Sequence, residues 1–468
     1  MPNIRFDLEE VTKRMLTKEG IFQHNTGKRA KLFPFAANDA KVFKMEYDLV
    51  DFGGIAAACY RECAALSHKS NFNKDEFIRQ ACLKAGAQNP AALTDIIEKV
   101  AFDESGRLYA YDTEVYAYLS FAYPIEALTS IARYITSLLF DDELKAEFRT
   151  MAGGDSQNLL YKLLSSSFPP TVEELKEDEQ FYMPSEAIKA KFKEDFKFLI
   201  ANKHKYKFVD YFPTLIKFYF FRFVTDISLE LNSFVTQAKK PTIFFSLDWE
   251  KLQASRPASN NGWKLFDAML DSMFVHANTF ELLSYIDLPI ARTGYNEIEA
   301  FVKQSAEADN RQLANTIDQV TAYYREKNPK VEWANLQLNH SDAVRTPVQK
   351  AISNLWESIE YQFTTTKKRQ LRAYKHLFVQ FAKFNFGKKR GPNGYSLSLK
   401  HADVLFLTTL SIGAQDKVRL KDLRKEFEDR GVFLDGTSWS HLIDYYEKVN
   451  MLEKKSDSGD GQYVKHLN

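Results

Sequence analysis

Hydrophobic and polar positions alternate along most of this chain with a helical period. Three such patterns follow one another from Gly54 to Phe102, and residues 295–328 carry a longer and more polar one. The most apolar run, residues 211–224, is interrupted by Lys217 and Arg222 and is shorter than the roughly 20 apolar residues that a membrane span needs. We therefore expect a buried helix there and a fold that is mainly α, with a multi-helical body.

The pattern near the end of the chain predicts a small separate module. One helix stops at Gly413, a short extended piece KVRL follows, and a second helix stops at Gly431. The segment TSWSHLIDYYEKVN predicts a third helix, and a hairpin follows around residues 456–461. Three helices followed by a two-stranded hairpin is the order of a winged helix-turn-helix.

Length and composition divide the 468 residues into four predicted segments. These are an N-terminal helical domain (1–168), a charged linker with aromatic-rich buried helices (169–240), a central domain with the strand-like SLDWEK and long helices (241–365), and a basic helix with the winged-helix-like module (366–468). An odd number of cysteines, three, is typical of a reducing compartment, so we expect a cytoplasmic protein. Cys59 and Cys63 are interpreted as small buried hydrophobes, and no metal or cofactor is expected.

Charge is distributed unevenly along the chain. The whole chain carries +1, whereas residues 361–468 carry +8 and the preceding body carries −7. Residues 361–400 contain ten lysines and arginines, eight tyrosines and phenylalanines, and no acidic residue. Basic and aromatic side chains together are typical of a segment that holds a nucleic-acid backbone, although a solvated helix face is the alternative.

If residues 367–386 are helical, Leu371, Tyr374, Phe378 and Phe381 share an inward face and the cations lie beside it. The candidate DNA contacts are Lys367, Lys368, Arg369, Arg372, Lys375, Lys383, Lys388, Lys389 and Arg390. The third helix and the hairpin tip are instead acidic, which favours docking of a protein over contact with bases. The candidate docking residues are Asp444, Glu447, Asp457 and Asp460.

Catalytic motifs are absent from the sequence. Asp248 and Glu250 follow an apolar strand pattern, which is one half of the arrangement in a metal-dependent nuclease. A matching lysine and further carboxylates are not recognisable, and no phosphate-binding loop accompanies the strand. We therefore expect a protein that is not an enzyme, with a nuclease subunit that uses Asp248 and Glu250 as the alternative.

Two stretches resemble a known family. Residues 391–464, with a Gly-Tyr opening, EFEDRGVFLD and a final SDSGD-x-x-YV, resemble the C-terminal region of the G subunit of DNA phosphorothioation-dependent restriction systems, the DptG family. SLDWEKLQASR and the following NGWKLF resemble its central segment. The resemblance implies a role in bacterial antiphage defence, in which an ATPase and a helicase-like subunit act as partners to restrict DNA that lacks phosphorothioate. It implies no catalytic residues.

The favoured hypothesis is thus a non-catalytic adaptor that holds partner subunits and contacts double-stranded DNA without reading its sequence. A winged-helix transcriptional regulator is a further alternative, which the acidic third helix disfavours.

Overall fold

Helices make up most of the protein, so the prediction of a mainly α fold is confirmed. The computed structural model describes residues 4–27, 31–34, 42–68, 72–123, 126–151, 158–174, 181–182, 186–203, 205–236, 238–290, 293–338, 345–454 and 461–467. The α-helices within these residues are α1 Leu8–Met15, α2 Glu46–Asp51, α3 Gly53–Cys63, α4 Lys74–Ala85, α5 Pro90–Ala101, α6 Glu126–Leu139, α7 Asp142–Thr150, α8 Leu159–Ser167, α9 Glu186–Ala201, α10 Phe208–Thr236, α11 Pro257–Asn260, α12 Trp263–Met269, α13 Met273–Leu283, α14 Tyr295–Gln304, α15 Glu307–Glu326, α16 Pro347–Thr366, α17 Lys368–Phe386, α18 His401–Ile412, α19 Leu420–Asp429 and α20 Gly436–Lys448.

Helix α10 lies at the centre of the body and confirms the predicted buried helix. It is apolar around almost its whole circumference, and most of its side chains are buried. The two cations that interrupt it find internal partners: Lys217 Nζ donates to the Val50 carbonyl at 2.9 Å, and Arg222 Nε donates to the Arg430 carbonyl at 3.0 Å. Within the described residues, no helix is both long enough and apolar enough to cross a membrane.

Seven short strands within the described residues form two sheets. They are β1 Phe244–Leu247, β2 Gly387–Lys389, β3 Tyr395–Leu399, β4 Lys417–Arg419, β5 Phe433–Leu434, β6 Leu452–Lys454 and β7 Gln462–Lys465. The first sheet has the order β2-β3-β1-β5, in which β1 runs parallel to both β3 and β5. The second sheet is antiparallel, with the order β4-β7-β6. The predicted extended segment at KVRL and the two strands of the predicted hairpin are therefore present.

Strand β1 binds the middle of the chain to its last hundred residues. Ser246 lies opposite Ser398 on β3, and Phe245 lies opposite Leu434 on β5. One connected apolar cluster extends from Ile4 to Val464, and a second, smaller cluster lies between α4, α5 and α8. The four-segment division stays a prediction, but β1 joins its third and fourth segments in one sheet.

A buried charged network fixes the loop after β1 to the start of α20. Arg256 Nη1 lies 2.9 Å from a Glu250 oxygen, and its Nη2 lies 2.6 Å from Asp435, the N-cap residue of α20. Ser438 donates to the other Glu250 oxygen at 2.6 Å. Because buried charges are tolerated only when paired and hydrogen-bonded, these partners hold one another in one geometry.

Candidate nucleic-acid interface

Helix α17 carries most of the predicted DNA contacts. No glycine or proline interrupts it, and it ends where Gly387 begins strand β2. The predicted inward face is confirmed, since its members are all buried: Leu371, Tyr374, Phe378 and Phe381. Phe220 of α10 contacts the rings of Phe378 and Phe381, with centroids 5.7 and 5.0 Å apart. The helix is therefore anchored in the core, and only one side of it presents charge to solvent.

Three cations at the start of α17 are exposed: Lys368, Arg369 and Arg372. No acidic side chain among the described residues pairs with them. Their neighbour Lys367 is instead tied inward, because its Nζ lies 3.1 Å from His24 Nδ1. Burial lowers the pKa of His24 to about 3, so the imidazole is neutral and accepts from the ammonium. We call the three exposed residues the helix-start cations.

The middle of α17 is electrically neutralised. Lys375 Nζ lies 2.8 Å from Asp267 and 2.9 Å from Asp271, and the lysine side chain is only 13% exposed. The predicted basic stripe from Lys368 to Lys383 is therefore interrupted halfway. Both aspartates lie outside residues 361–400, which is why the local absence of acidic residues did not show this pairing.

A second group of cations surrounds the hairpin of β2 and β3. Lys389 is exposed, and Lys388 is 42% exposed with its Nζ 3.3 Å from Asp248. Lys383 Nζ lies 5.2 Å from the centre of the Tyr395 ring, at the start of β3. The hairpin tip, residues 391–394, is exposed throughout. Lys383, Lys388 and Lys389 are called the hairpin cations below.

Arg390 lies on the same hairpin but points into the protein. Its Nε donates to Ser396 Oγ at 2.9 Å, its Nη1 to the Glu250 carbonyl at 2.7 Å, and its Nη2 to the Leu247 carbonyl at 2.8 Å. All three guanidinium nitrogens thus have internal acceptors, and burial lowers the pKa of Arg390. We therefore leave Arg390 out of the proposed contact surface, together with Lys375 and Lys367.

The helix-start cations and the hairpin cations lie toward opposite ends of one helix. A helix of 19 residues is about 28 Å long, at 1.5 Å per residue. Double-stranded DNA carries about one charge per 1.7 Å of its axis, so a duplex laid along α17 offers phosphates to both groups. The arrangement suits contact with the backbone at two separated points.

Asp248 and Glu250 take different partners. Glu250 is buried, and its carboxylate accepts from the Leu247 amide, Arg256 and Ser438. Asp248 is 35% exposed and faces Lys388. In the described part of the chain, no group of three or more histidine, cysteine, aspartate or glutamate side chains is close enough to hold a metal ion. The geometry around these two residues therefore gives the nuclease alternative no support.

The predicted docking residues on α20 lie at the surface. Asp444 is exposed, and Glu447 is exposed with one oxygen 2.9 Å from Lys454. Asp457 and Asp460 lie outside the described residues. Sequence reasoning missed the internal partners that lie far along the chain, such as Asp267 for Lys375 and Glu250 for Arg390. No protein-family model matches this chain, and no curated protein matches it.

Proposed function

We propose that this chain is a non-catalytic subunit of a bacterial DNA restriction complex that acts in antiphage defence. In this proposal it bridges an ATPase and a helicase-like subunit and contacts the DNA backbone, so that DNA lacking phosphorothioate is restricted. The assignment to such a complex comes from the resemblance of residues 391–464 and of SLDWEK to the DptG family. The contact with DNA is inferred from the cations on and beside α17.

The proposed DNA contact rests on the helix-start cations and the hairpin cations, which lie toward the two ends of α17. Lys368, Arg369, Arg372 and Lys389 are exposed and form no ion pair with a described acidic residue, whereas Lys388 is paired with Asp248 but keeps 42% of its side chain exposed. Exposed cations are available to replace the counterions around DNA phosphates. Contacts between these cations and phosphates carry no information about the base sequence. They therefore position the protein on DNA without selecting a site.

The C-terminal module is proposed to be a winged helix that docks a protein partner. The order α18, β4, α19, β5, α20, β6, β7, in which β4 and β6 both pair with β7 and β5 pairs with β1, supports this assignment. Helix α20 would be its groove-reading helix, but it exposes Asp444 and Glu447, which DNA phosphates would repel. Its acidic face suits a basic protein surface instead.

Binding to a blunt DNA duplex across a salt series tests the proposal. Lys388→Ala/Lys389→Ala should weaken binding about equally on unrelated sequences and lower the salt slope by roughly 0.9 for each phosphate that the variant no longer neutralises. Lys368→Ala/Arg369→Ala/Arg372→Ala should have a similar effect. Lys13→Ala/Lys18→Ala, which removes two exposed cations from the region of α1, is the matched control and should leave the slope unchanged.

Three results would contradict the proposal in different ways. An unchanged salt slope in both cation variants would show that DNA does not contact these cations. A strong preference for one duplex sequence would favour a transcriptional regulator. Nicking of DNA that requires magnesium or manganese and is abolished in Asp248→Ala would favour the nuclease alternative.

A further inference from the structure

Three aromatic rings from distant parts of the chain meet at the carboxyl ends of β1 and β3. Trp249 lies two residues after β1, His401 lies two residues after β3, and Tyr445 comes from α20. Trp249 and His401 are stacked, with centroids 3.9 Å apart and an interplanar angle of 18°. Tyr445 lies 4.7 Å from His401 and 5.2 Å from Trp249. In open parallel sheets, ligands bind at this end of the strands.

The three distances show which ring face is open. If Tyr445 covered the outer face of His401, the three rings would lie in one line. The Tyr445–Trp249 distance would then be about the sum of the Trp249–His401 and His401–Tyr445 distances. It lies only 5.2 Å from Trp249, so Tyr445 stands beside the stacked pair rather than on top of it. His401 is exposed, whereas Trp249 and Tyr445 are half-buried. The outer face of His401 is thus left free by its two aromatic neighbours.

Two lysines lie near the rings, at the ends of β1 and β3. Lys400, next to His401, is exposed, and Lys388 lies beside the adjacent Asp248. Helix α18 begins at His401, and the Asp403 carboxylate accepts from the Lys400 amide at 2.8 Å. The exposed Asp444 precedes Tyr445 on α20. Lys388 and Lys400 are the cations beside the rings that can contact a phosphate, although Asp248 and Asp403 lie with them.

We propose that His401, supported by Trp249 and Tyr445, stacks an unpaired base of a DNA strand whose phosphates lie beside Lys388 and Lys400. This inference rests on the proposed DNA-binding function and specifies its substrate: a duplex with a single-stranded portion. Base stacking on an aromatic side chain tolerates any sequence, because every base has a flat π-face. It therefore agrees with contact that does not read sequence.

The experiment compares a blunt duplex with the same duplex carrying a single-stranded tail. The unmodified protein should bind the tailed duplex more tightly, and His401→Ala should remove that gain, a loss of roughly 5- to 150-fold for one stacked base. His401→Phe keeps a flat ring and should retain the gain. A 2-aminopurine placed in the tail should lose fluorescence on binding to the protein and to His401→Phe, but not on binding to His401→Ala.

The outcomes separate this inference from the function on which it rests. Blunt-duplex binding that depends on the hairpin cations, with no gain from the tail, would overturn the stacking site and leave the DNA-backbone contact intact. A gain that survives in His401→Ala, or that His401→Phe fails to retain, would also overturn it. Binding to the tail that requires His401, without any binding to the blunt duplex, would support the stacking site and contradict the duplex contact. Absence of binding to either DNA would overturn both.

Discussion

Arg430 and Asp195 form an ion pair in the interior, with Arg430 Nη2 2.5 Å from Asp195 Oδ1. Arg430 follows α19 in the C-terminal module, whereas Asp195 lies in α9 of the body. The side chains are 0% and 2% exposed, and Tyr219 also donates to Asp195 at 2.6 Å. The pair joins residues 235 positions apart, so the module is fixed to the body through charge as well as through apolar packing.

Removing one partner of this pair should be severely destabilising. Asp195→Ala leaves the buried Arg430 guanidinium with only the partly exposed Glu426 carboxylate, 2.7 Å from its Nη1. Removing one partner of a buried ion pair typically costs about 3–5 kcal/mol. Asp287→Ala, which breaks the exposed pair with Arg5, should cost below about 1 kcal/mol and is the control. Chemical denaturation measures both. Equal losses of stability in the two variants would show that the Arg430–Asp195 pair is not buried as described.

Gly431 should not tolerate a side chain. Its φ is +75°, and a Cβ there would lie 2.0 Å from Arg222 Nη2. Gly431→Ala therefore combines backbone strain with displacement of a buried arginine, and we expect a loss of about 2 kcal/mol or more in the free energy of unfolding. Gly20→Ala is the matched control, since Gly20 has a φ of +74° and no atom within 4 Å of the added Cβ. A cost no larger than that of Gly20→Ala would mean that Arg222 moves aside easily.

Arg390 and Lys389 are adjacent, but their replacement should affect different properties of the protein. Arg390→Ala removes donors from the buried hydroxyls of Ser396 and Ser398, so we expect a lower thermal midpoint, with a cost of about 1–3 kcal/mol. Lys389→Ala should leave the midpoint unchanged and weaken DNA binding. Thermal unfolding and DNA titration on both variants check this. An unchanged thermal midpoint for Arg390→Ala would show that its internal hydrogen bonds do not stabilise the fold, and Arg390 would again be a candidate DNA contact.

Glu360 on α16 should make stability depend on pH. Burial, with a smaller contribution from Glu357, raises the pKa of Glu360 from 4.5 to about 7. The folded protein then binds more protons than the unfolded chain between these values, so the contribution of Glu360 to stability decreases as the pH rises from 4.5 to 7. Glu360→Gln should flatten this dependence and be the more stable protein above about pH 7. The exposed Glu19→Gln serves as the control in denaturation at each pH.

Local patterns sufficed to predict the helices and their buried faces. The inward face of α17 and the burial of α10 follow from residue periodicity and apolar content, which are properties of short segments. The stops at Gly413 and Gly431 follow from local backbone preference, and both have positive φ, +60° and +75°. These features need no knowledge of distant residues.

Whether each cation faces solvent or an internal partner could not be predicted in the same way. Arg390 and Lys389 are neighbours in one basic run, yet one is enclosed by Ser396, Glu250 and Leu247 and the other faces solvent. Ser396 and Ser398 resemble the polar side of a half-exposed strand, but both are buried. In each case the deciding partner lies on or just after β1, about 140 residues earlier, and no local pattern indicates that β1 and β3 are neighbours.

Strand β1 lies between β3 and β5, and both of these strands are synthesised after it. Its two neighbours follow it by roughly 150 and 190 residues, which at 5–20 residues per second means about 10–40 s before both are made. Until then both hydrogen-bonding edges of an apolar strand lack their final partners, and any intermediate must shield them from pairing with other chains. A chain truncated before β3 would remain in that state permanently, so the two edges of β1 are covered only when the residues from β3 onward have been synthesised.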